Sequence, residues 1–114
     1  TTTVYVTTAE VTNTAGSAYS AGGKALTNSG VTTSTVTSHT DFADLSVANG
    51  TAWTTASFTT RGCLIYNTSV VSGFTTNRAV CSIDFGGDKT VSNGTFSIEF
   101  PTNSSSAAII RLTS

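Results

Sequence analysis

Apolar residues recur along the chain in short alternating runs, not at the spacing of an amphipathic helix. The clearest run is Thr95–Phe100, in which Phe96, Ile98 and Phe100 fall on one side of an extended strand and polar residues fall on the other. No window repeats apolar residues at helical spacing for longer than about two turns. The pattern therefore predicts a chain built almost entirely from β-strands.

The predicted strands lie between clusters of Gly, Asn and Ser, which favour turns. Asn49-Gly50, Gly86-Gly87-Asp88 and Asn93-Gly94 are strong turn signals, and Thr68–Asn77 is expected to connect the two clearest strands. About seven to nine short strands separated in this way predict a single-domain antiparallel β-sandwich or β-barrel. The predicted strands are Thr2–Thr7, Lys24–Thr27, Val31–Ser38, Ala52–Phe58, Gly62–Asn67, Arg78–Phe85, Thr95–Phe100 and Ala107–Leu112.

Composition and charge agree with one all-β domain over residues 1–114. Thr and Ser supply 41 of the 114 residues, and threonine is β-branched, which suits half-exposed strands. A net charge of -1, with basic residues spread along the chain, gives no electrostatic surface for nucleic acid or an anionic membrane. No apolar run approaches the roughly 20 residues that span a bilayer. Neither nucleic acid nor a membrane is therefore expected as a partner.

No catalytic, cofactor-binding or metal-ligating residue is assigned, and the chain is predicted not to be an enzyme. His39 is the single histidine, and the sequence contains no G-x-S-x-G motif or equivalent that would place a serine as a nucleophile. We expect His39 at the surface or hydrogen-bonded. Asp84 and Asp88 either share a cation or belong to a turn in which a carboxylate accepts backbone N–H groups. The turn is favoured, because these ligands alone leave calcium under-coordinated.

Two further patterns would suit a secreted carbohydrate-binding or adhesin domain. The aromatic residues Trp53, Tyr5, Tyr19 and Tyr66 suit a platform for stacking sugars, but they are dispersed along the sequence and are expected to serve the core and its rim. Glycosylation sequons matter only in a secreted eukaryotic protein. They occur at Asn49, Asn67, Asn93 and Asn103.

An ordered set of motifs resembles a group of small structural proteins from tailed-bacteriophage virions. That group carries "GYTAGGxxLT", a "W/F-T/S" strand, "AVIYxDT", "LIAYIDFG", "NGxDFTIxF" and a closing "ILRL". Each motif alone is ordinary strand sequence, so the resemblance rests on their order and spacing over roughly residues 9–112. The corresponding stretches are Tyr19–Thr27, Thr51–Thr54, Gly62–Thr68, Ala79–Gly86, Ser92–Phe100 and Ala108–Leu112.

One element of the group is replaced here. Many of its members open with a helix and an "xIKVALV" strand, where this chain has only Thr2–Thr7. The resemblance therefore implies an N-terminal element that is shortened or contributed by a neighbouring subunit.

The resemblance implies a non-enzymatic virion protein, assembled in the host cytoplasm, that forms homo-oligomers and contacts the major capsid protein or other virion proteins. Capsid decoration, as a cement protein, is favoured over a tail or fibre position, because a fibre shaft would show length or a repeat. Exposed strands such as Val31–Ser38 and Thr2–Thr7 are candidates for pairing with neighbouring chains. The loops around Tyr19 and Phe74 are further candidates for an interface.

Cys63 and Cys81 lie in the two clearest strands, at equal distance from Ser72 near the centre of the connecting loop. Antiparallel pairing about that centre would place them opposite each other, so that a cross-strand disulfide is conceivable. The alternative is two free thiols packed as small apolar groups. The virion resemblance implies assembly in a reducing cytoplasm, which favours free thiols.

Overall fold

The computed structural model describes residues 3–12 and 17–113 of the chain, and these residues form five strands and one short 3-10 helix. No helix among them is long and apolar enough to cross a membrane. The elements are a 3-10 helix at Thr7–Ala9 and the strands β1 (Asn28–Thr33), β2 (Thr37–Phe42), β3 (Trp53–Asn67), β4 (Arg78–Phe96) and β5 (Ile110–Thr113).

The chain divides into two compact units, each built from two separate stretches. Unit 1 comprises Thr1–Gly22 and Thr55–Asn93, and unit 2 comprises Gly23–Thr54 and Gly94–Ser114. The expectation of a single domain over residues 1–114 stays a prediction.

Unit 2 contains an antiparallel three-stranded sheet with β2 in the middle and β1 and β5 at its edges. The turn between β1 and β2 is closed by a hydrogen bond from the Ser34 N–H to the Thr37 carbonyl, 2.8 Å long. The register of β1 on β2 shifts between Asn28 and Val31, where Gly30 adopts a φ of 82°. A positive φ at glycine is typical of a β-bulge, which bends and twists an edge strand.

One face of β2 is buried although its residues are polar. Thr37, His39 and Asp41 alternate along this face, and Asp41 is only 1% exposed. The two oxygens of the Asp41 carboxylate accept the N–H groups of Phe42, at 2.8 Å, and of Ile109, at 3.3 Å. Asp41 therefore ties the central strand to the segment that leads into β5.

A second aspartate holds the stretch that follows β4. The Asp44 carboxylate accepts the N–H of Phe100 at 2.8 Å, and Leu45 pairs with Ile98 through two backbone hydrogen bonds of 2.9 Å. The apolar core of unit 2 is small. Its buried hydrophobic residues are Leu45, Ala52, Trp53 and Ala108.

β3 and β4 form a two-stranded sheet, most of which belongs to unit 1. Both strands are rich in β-branched and aromatic residues, which favour extended backbone. The strands approach so closely at Gly62 that a Cβ there would overlap the Ile83 carbonyl oxygen. Ala56 and Ile65 are the buried hydrophobic residues of this unit among those described.

The structure confirms an antiparallel, mostly β chain but not a sandwich or barrel of seven to nine strands. Its two sheets are small and separate, and its strands are fewer and longer than predicted. The turns predicted at Gly86-Gly87-Asp88 and Asn93-Gly94 are wrong, because both stretches lie inside the 19-residue β4. Gly86 and Asn93 do adopt positive φ, at 75° and 47°, but within a continuous strand.

Other predicted strands also differ from those observed. Val31–Ser38 is divided by the turn between β1 and β2, whereas Ala52–Phe58 and Gly62–Asn67 merge into β3. Lys24–Thr27 forms no strand. The described part of Thr2–Thr7 contributes one bridge, between Val4 and Arg78, before the 3-10 helix. Arg78–Phe85 is lengthened into β4, which ends at Phe96 and so contains only the first two residues of Thr95–Phe100. Ala107–Leu112 is replaced by β5, which begins at Ile110.

We expect Asp41→Ala to lower the free energy of unfolding by about 1–3 kcal/mol, because the partly buried N–H of Ile109 loses its acceptor. Urea denaturation followed by circular dichroism measures this change. The control is Asp88→Ala, at an exposed carboxylate, for which a change within about 0.5 kcal/mol is expected. Equal effects of the two substitutions would contradict this role for Asp41.

Candidate interaction surface

The edge strand β1 is exposed along its whole length and carries no charge. All six residues from Asn28 to Thr33 are exposed, and among the described residues β1 pairs only with β2. The hydrogen bond from Ser34 to Thr37 and the register of the two strands direct the N–H and C=O groups of Val31 and Thr33 away from β2. These groups are available to another strand.

The three-stranded sheet also has an outer face, opposite the buried face of β2. Val31 is aligned with Thr40, and Leu112 is aligned with Ser38, so these four residues lie on the same face. Val31 and Leu112 are each 73% exposed. We call Val31, Ser38, Thr40 and Leu112 the outer face.

The loop between β3 and β4 is the second exposed apolar region. Residues 68–76 are all exposed, including Val70 at 81% and Phe74 at 63%. The Arg78 guanidinium lies 5.0 Å from the centre of the Phe74 ring, a cation–π contact. The exposed position expected for the loop around Phe74 is confirmed, whereas Tyr19 is partly buried.

Three tyrosines that are far apart in the sequence converge in unit 1. The Glu10 carboxylate accepts hydrogen bonds from the hydroxyls of Tyr5, at 2.6 Å, and Tyr19, at 2.5 Å, and from the Gly22 N–H at 2.6 Å. Tyr66 donates its hydroxyl to the Gly22 carbonyl at 2.8 Å and stacks on Tyr5 with ring centres 4.5 Å apart. These three tyrosines, although dispersed along the sequence, therefore lie together in the structure.

These contacts change the ionisation of the groups involved. Burial by itself would raise the pKa of Glu10, but the hydrogen bonds from Tyr19, Tyr5 and Gly22 together outweigh it and lower that pKa. The hydrogen bond to Glu10, with smaller contributions from burial and charge, raises the pKa of Tyr5 to about 12. Burial and the Glu10 hydrogen bond raise the pKa of Tyr19 as well. Glu10 is therefore held as a carboxylate and its two tyrosines as phenols at neutral pH.

The Asp84 and Asp88 carboxylates flank an arginine. Arg61 lies 4.0 Å from one and 3.9 Å from the other, and all three side chains are about two-thirds exposed. Asp84 accepts the Gly86 N–H at 2.8 Å, which is the hydrogen bond expected of the turn alternative, although this backbone belongs to β4. Exposed ion pairs of this kind contribute little to stability.

Both cysteines are free thiols in the structure, the alternative that the virion resemblance favoured. Burial raises the pKa of Cys63 and of Cys81, and the charge of Cys81 adds to the shift at Cys63. A raised thiol pKa leaves little thiolate at neutral pH, so both groups are weak nucleophiles.

His39 is buried, and its Nδ1 has no hydrogen-bond partner among the described residues. The expectation of a surface or fully hydrogen-bonded histidine is therefore wrong. The described residues contain no group of three or more His, Cys, Asp or Glu side chains that could hold a metal ion. Trp53 is buried in unit 2, as expected for a core residue, and the four sequon asparagines are all exposed.

Glu10 and Asp41 are two carboxylates with several hydrogen bonds in the fold that the sequence did not reveal. Glu10 is separated from Tyr5, Tyr19 and Gly22 by unequal intervals that follow no strand or helix period. Asp41 stands in the polar run Thr37–Asp41, whose composition does not indicate a buried face. The one available signal was that Thr37, His39 and Asp41 stand at every second position, as residues on one face of a strand do.

We expect Glu10→Gln to lower the free energy of unfolding at neutral pH and to lose this effect in acid. A carboxylate with a lowered folded-state pKa contributes stability above the pKa of the unfolded chain, about 4.3, and loses it as the pH falls through the folded-state value. Urea denaturation of both proteins between about pH 7 and pH 3 measures the difference.

The matched control is Glu99→Gln, which removes the same charge from an exposed glutamate. A difference between wild type and Glu10→Gln that stays constant over the whole pH range would contradict a role for the Glu10 charge.

Comparison of the chain with protein-family models, with curated proteins and with solved structures finds no match. The resemblance to small virion proteins of tailed phages therefore stays a prediction that rests on the order of its motifs. The features with most bearing on function are the exposed edge of β1, the outer face and the apolar loop between β3 and β4.

Proposed function

We propose that the chain is a non-enzymatic structural protein of a tailed-phage virion, which decorates the capsid by contacts with the major capsid protein and with further copies of itself. The observation that carries the proposal is β1, an edge strand that is exposed at all six residues and uncharged. The ordered motifs of the sequence support the assignment to a virion. The exposed edge of β1 is where a strand of a neighbouring chain pairs.

Free sheet edges in soluble proteins are usually blocked by lysine, proline or a covering segment. β1 has no lysine and no proline, and its side chains are small or β-branched, which suits the addition of a strand. We further propose that strands from neighbouring chains extend the three-stranded sheet towards the sandwich or barrel that the sequence predicts.

The distribution of apolar side chains also supports a protein that is covered by partners. Among the described residues, the large hydrophobic side chains that are buried are Leu45, Trp53 and Ile65. A larger set is exposed, and exposed apolar clusters often mark contact surfaces. That set is Val6, Val31, Val36, Val47, Val70, Val71, Phe74, Val80 and Leu112.

Charge favours a repeated contact on a shell. With a net charge of -1, copies of the chain placed side by side repel one another little, and the outer face is entirely neutral. The sequence shows no repeat of the kind that builds a fibre shaft, which favours the capsid over the tail.

We expect a cryo-EM reconstruction of particles purified from the source to show this chain repeated over the icosahedral shell. Density confined to the tail or its fibres would keep the virion assignment and overturn the capsid position. Absence from particles would contradict the proposal and favour the secreted carbohydrate-binding alternative.

We expect Val31→Lys to reduce incorporation of the chain into particles several-fold, because a lysine on an edge strand opposes strand addition. Quantitative mass spectrometry of purified particles measures the ratio of this chain to the major capsid protein. The matched control is Val47→Lys, an exposed valine of the same unit outside the sheet. Equal incorporation of both folded variants would contradict the role of β1.

A further inference from the structure

The first part of the chain forms a separate packing element within unit 1. We call residues 3–12 and 17–22 the arm. Its backbone joins β4 through two hydrogen bonds, from the Tyr5 N–H to the Asn77 carbonyl, 2.8 Å, and from the Ala79 N–H to the Thr3 carbonyl, 3.0 Å. These flank the bridge between Val4 and Arg78. The arm thus occupies an edge of β4 over only a few residues.

The rest of the arm docks on β3 through aromatic rings and three hydrogen bonds. Tyr5 stacks on Tyr66, and Tyr19 contacts Phe58 edge to face with ring centres 5.3 Å apart. The hydrogen bond from Tyr66 to Gly22 also joins arm and strand. The other two run from the Ala18 N–H to the Thr55 carbonyl, 2.6 Å, and from the Ser57 N–H to the Ser17 hydroxyl, 3.0 Å.

The arm has hydrogen bonds of its own in addition to those with β3 and β4. All three hydrogen bonds to the Glu10 carboxylate come from arm residues: Tyr5, Tyr19 and Gly22. Charge-assisted hydrogen bonds of this kind are stronger than neutral ones. The two tyrosine rings that Glu10 positions are the same rings that meet Tyr66 and Phe58. Glu10 therefore links, within the arm, the two tyrosines whose rings contact β3.

The link from the arm to the following chain contains two glycines in the left-handed region. Gly22, the last residue of the arm, has a φ of 90°, and Gly23, the first residue of unit 2, has a φ of 76°. Residues 23–54 belong to unit 2, so the arm does not lead directly into the strand on which it docks. Glycine pairs allow the chain direction to change at little conformational cost.

We propose that the arm exchanges between two copies of this chain. The arm of one copy occupies the docking site of the other, and the second arm does the same in return. That site is formed by Thr55, Ser57, Phe58, Tyr66 and Asn77–Ala79. Every contact of the closed monomer is reproduced between the copies, so the equilibrium depends on the glycine link and on concentration. β1 takes no part, so this exchange and the virion proposal stand or fall separately.

Disulfide trapping with two single-cysteine variants tests the exchange. Val4 and Arg78 form a non-hydrogen-bonded antiparallel pair, the pair type with the shorter Cα separation, which suits a disulfide. Full-length Val4→Cys and Arg78→Cys chains are prepared in a background of Cys63→Ala and Cys81→Ala, and one of them carries a tag. They are unfolded, mixed, refolded together and oxidised. A disulfide between the two introduced thiols then forms above the level of random collisions only if the arm of one chain docks on the other.

We expect a covalent heterodimer on a non-reducing gel, several-fold more abundant than in a control mixture of Val47→Cys with Arg78→Cys. Val47 is an exposed residue of unit 2, so that mixture reports random collisions. Cross-linking no greater than in the control would overturn the exchange.

A second measurement uses the unmodified chain, so it does not depend on the folding of the cysteine variants. Sedimentation of the unmodified chain is expected to show dimer that increases with concentration. A chain that remains monomeric at every concentration would also overturn the proposal.

Discussion

The fold depends on carboxylates that accept backbone N–H groups from distant parts of the same unit. Glu10 accepts the N–H of Gly22, Asp41 that of Ile109, and Asp44 that of Phe100. Hydrogen bonds to charged acceptors are directional and stronger than neutral ones, and they fix a segment at one position. Half of the buried hydrophobic residues in the described part of the chain are alanines, and such bonds position segments that a larger apolar core would otherwise hold.

Threonine supports this arrangement in a second way. The hydroxyl of Thr40 donates to the Gly30 carbonyl, that of Thr51 to the Asp44 carbonyl, and that of Thr60 to the Gly62 carbonyl. These three threonines are β-branched, which favours extended backbone. Their hydroxyls also donate to carbonyl groups that lie at a bulge, near a turn or at a glycine. Hydrogen bonds from polar side chains hold many of the segments in place. Several valines are therefore exposed and can contact other molecules.

Local sequence predicted the strand content and the exposed loop but not where strands end. Gly86 and Asn93 adopt the positive φ that their turn signals indicate, yet β4 continues through both. A positive φ suits a bulge as well as a turn, and the pairing partner decides between them. The cluster around Glu10 could not be predicted for a related reason. Its members meet through tertiary packing, which no sequence period encodes.

The form of β1 limits how it can join a neighbour. The irregularity between Asn28 and Val31 leaves only Val31–Thr33 as a regular edge beyond the bulge. A short edge of this kind gives few backbone hydrogen bonds, too few to hold two free chains together alone. It becomes effective where a preformed lattice already holds many chains at fixed positions, because the second contact of a tethered chain costs little association entropy. An open but short edge therefore suits a contact that forms on a shell and adds little to association in solution.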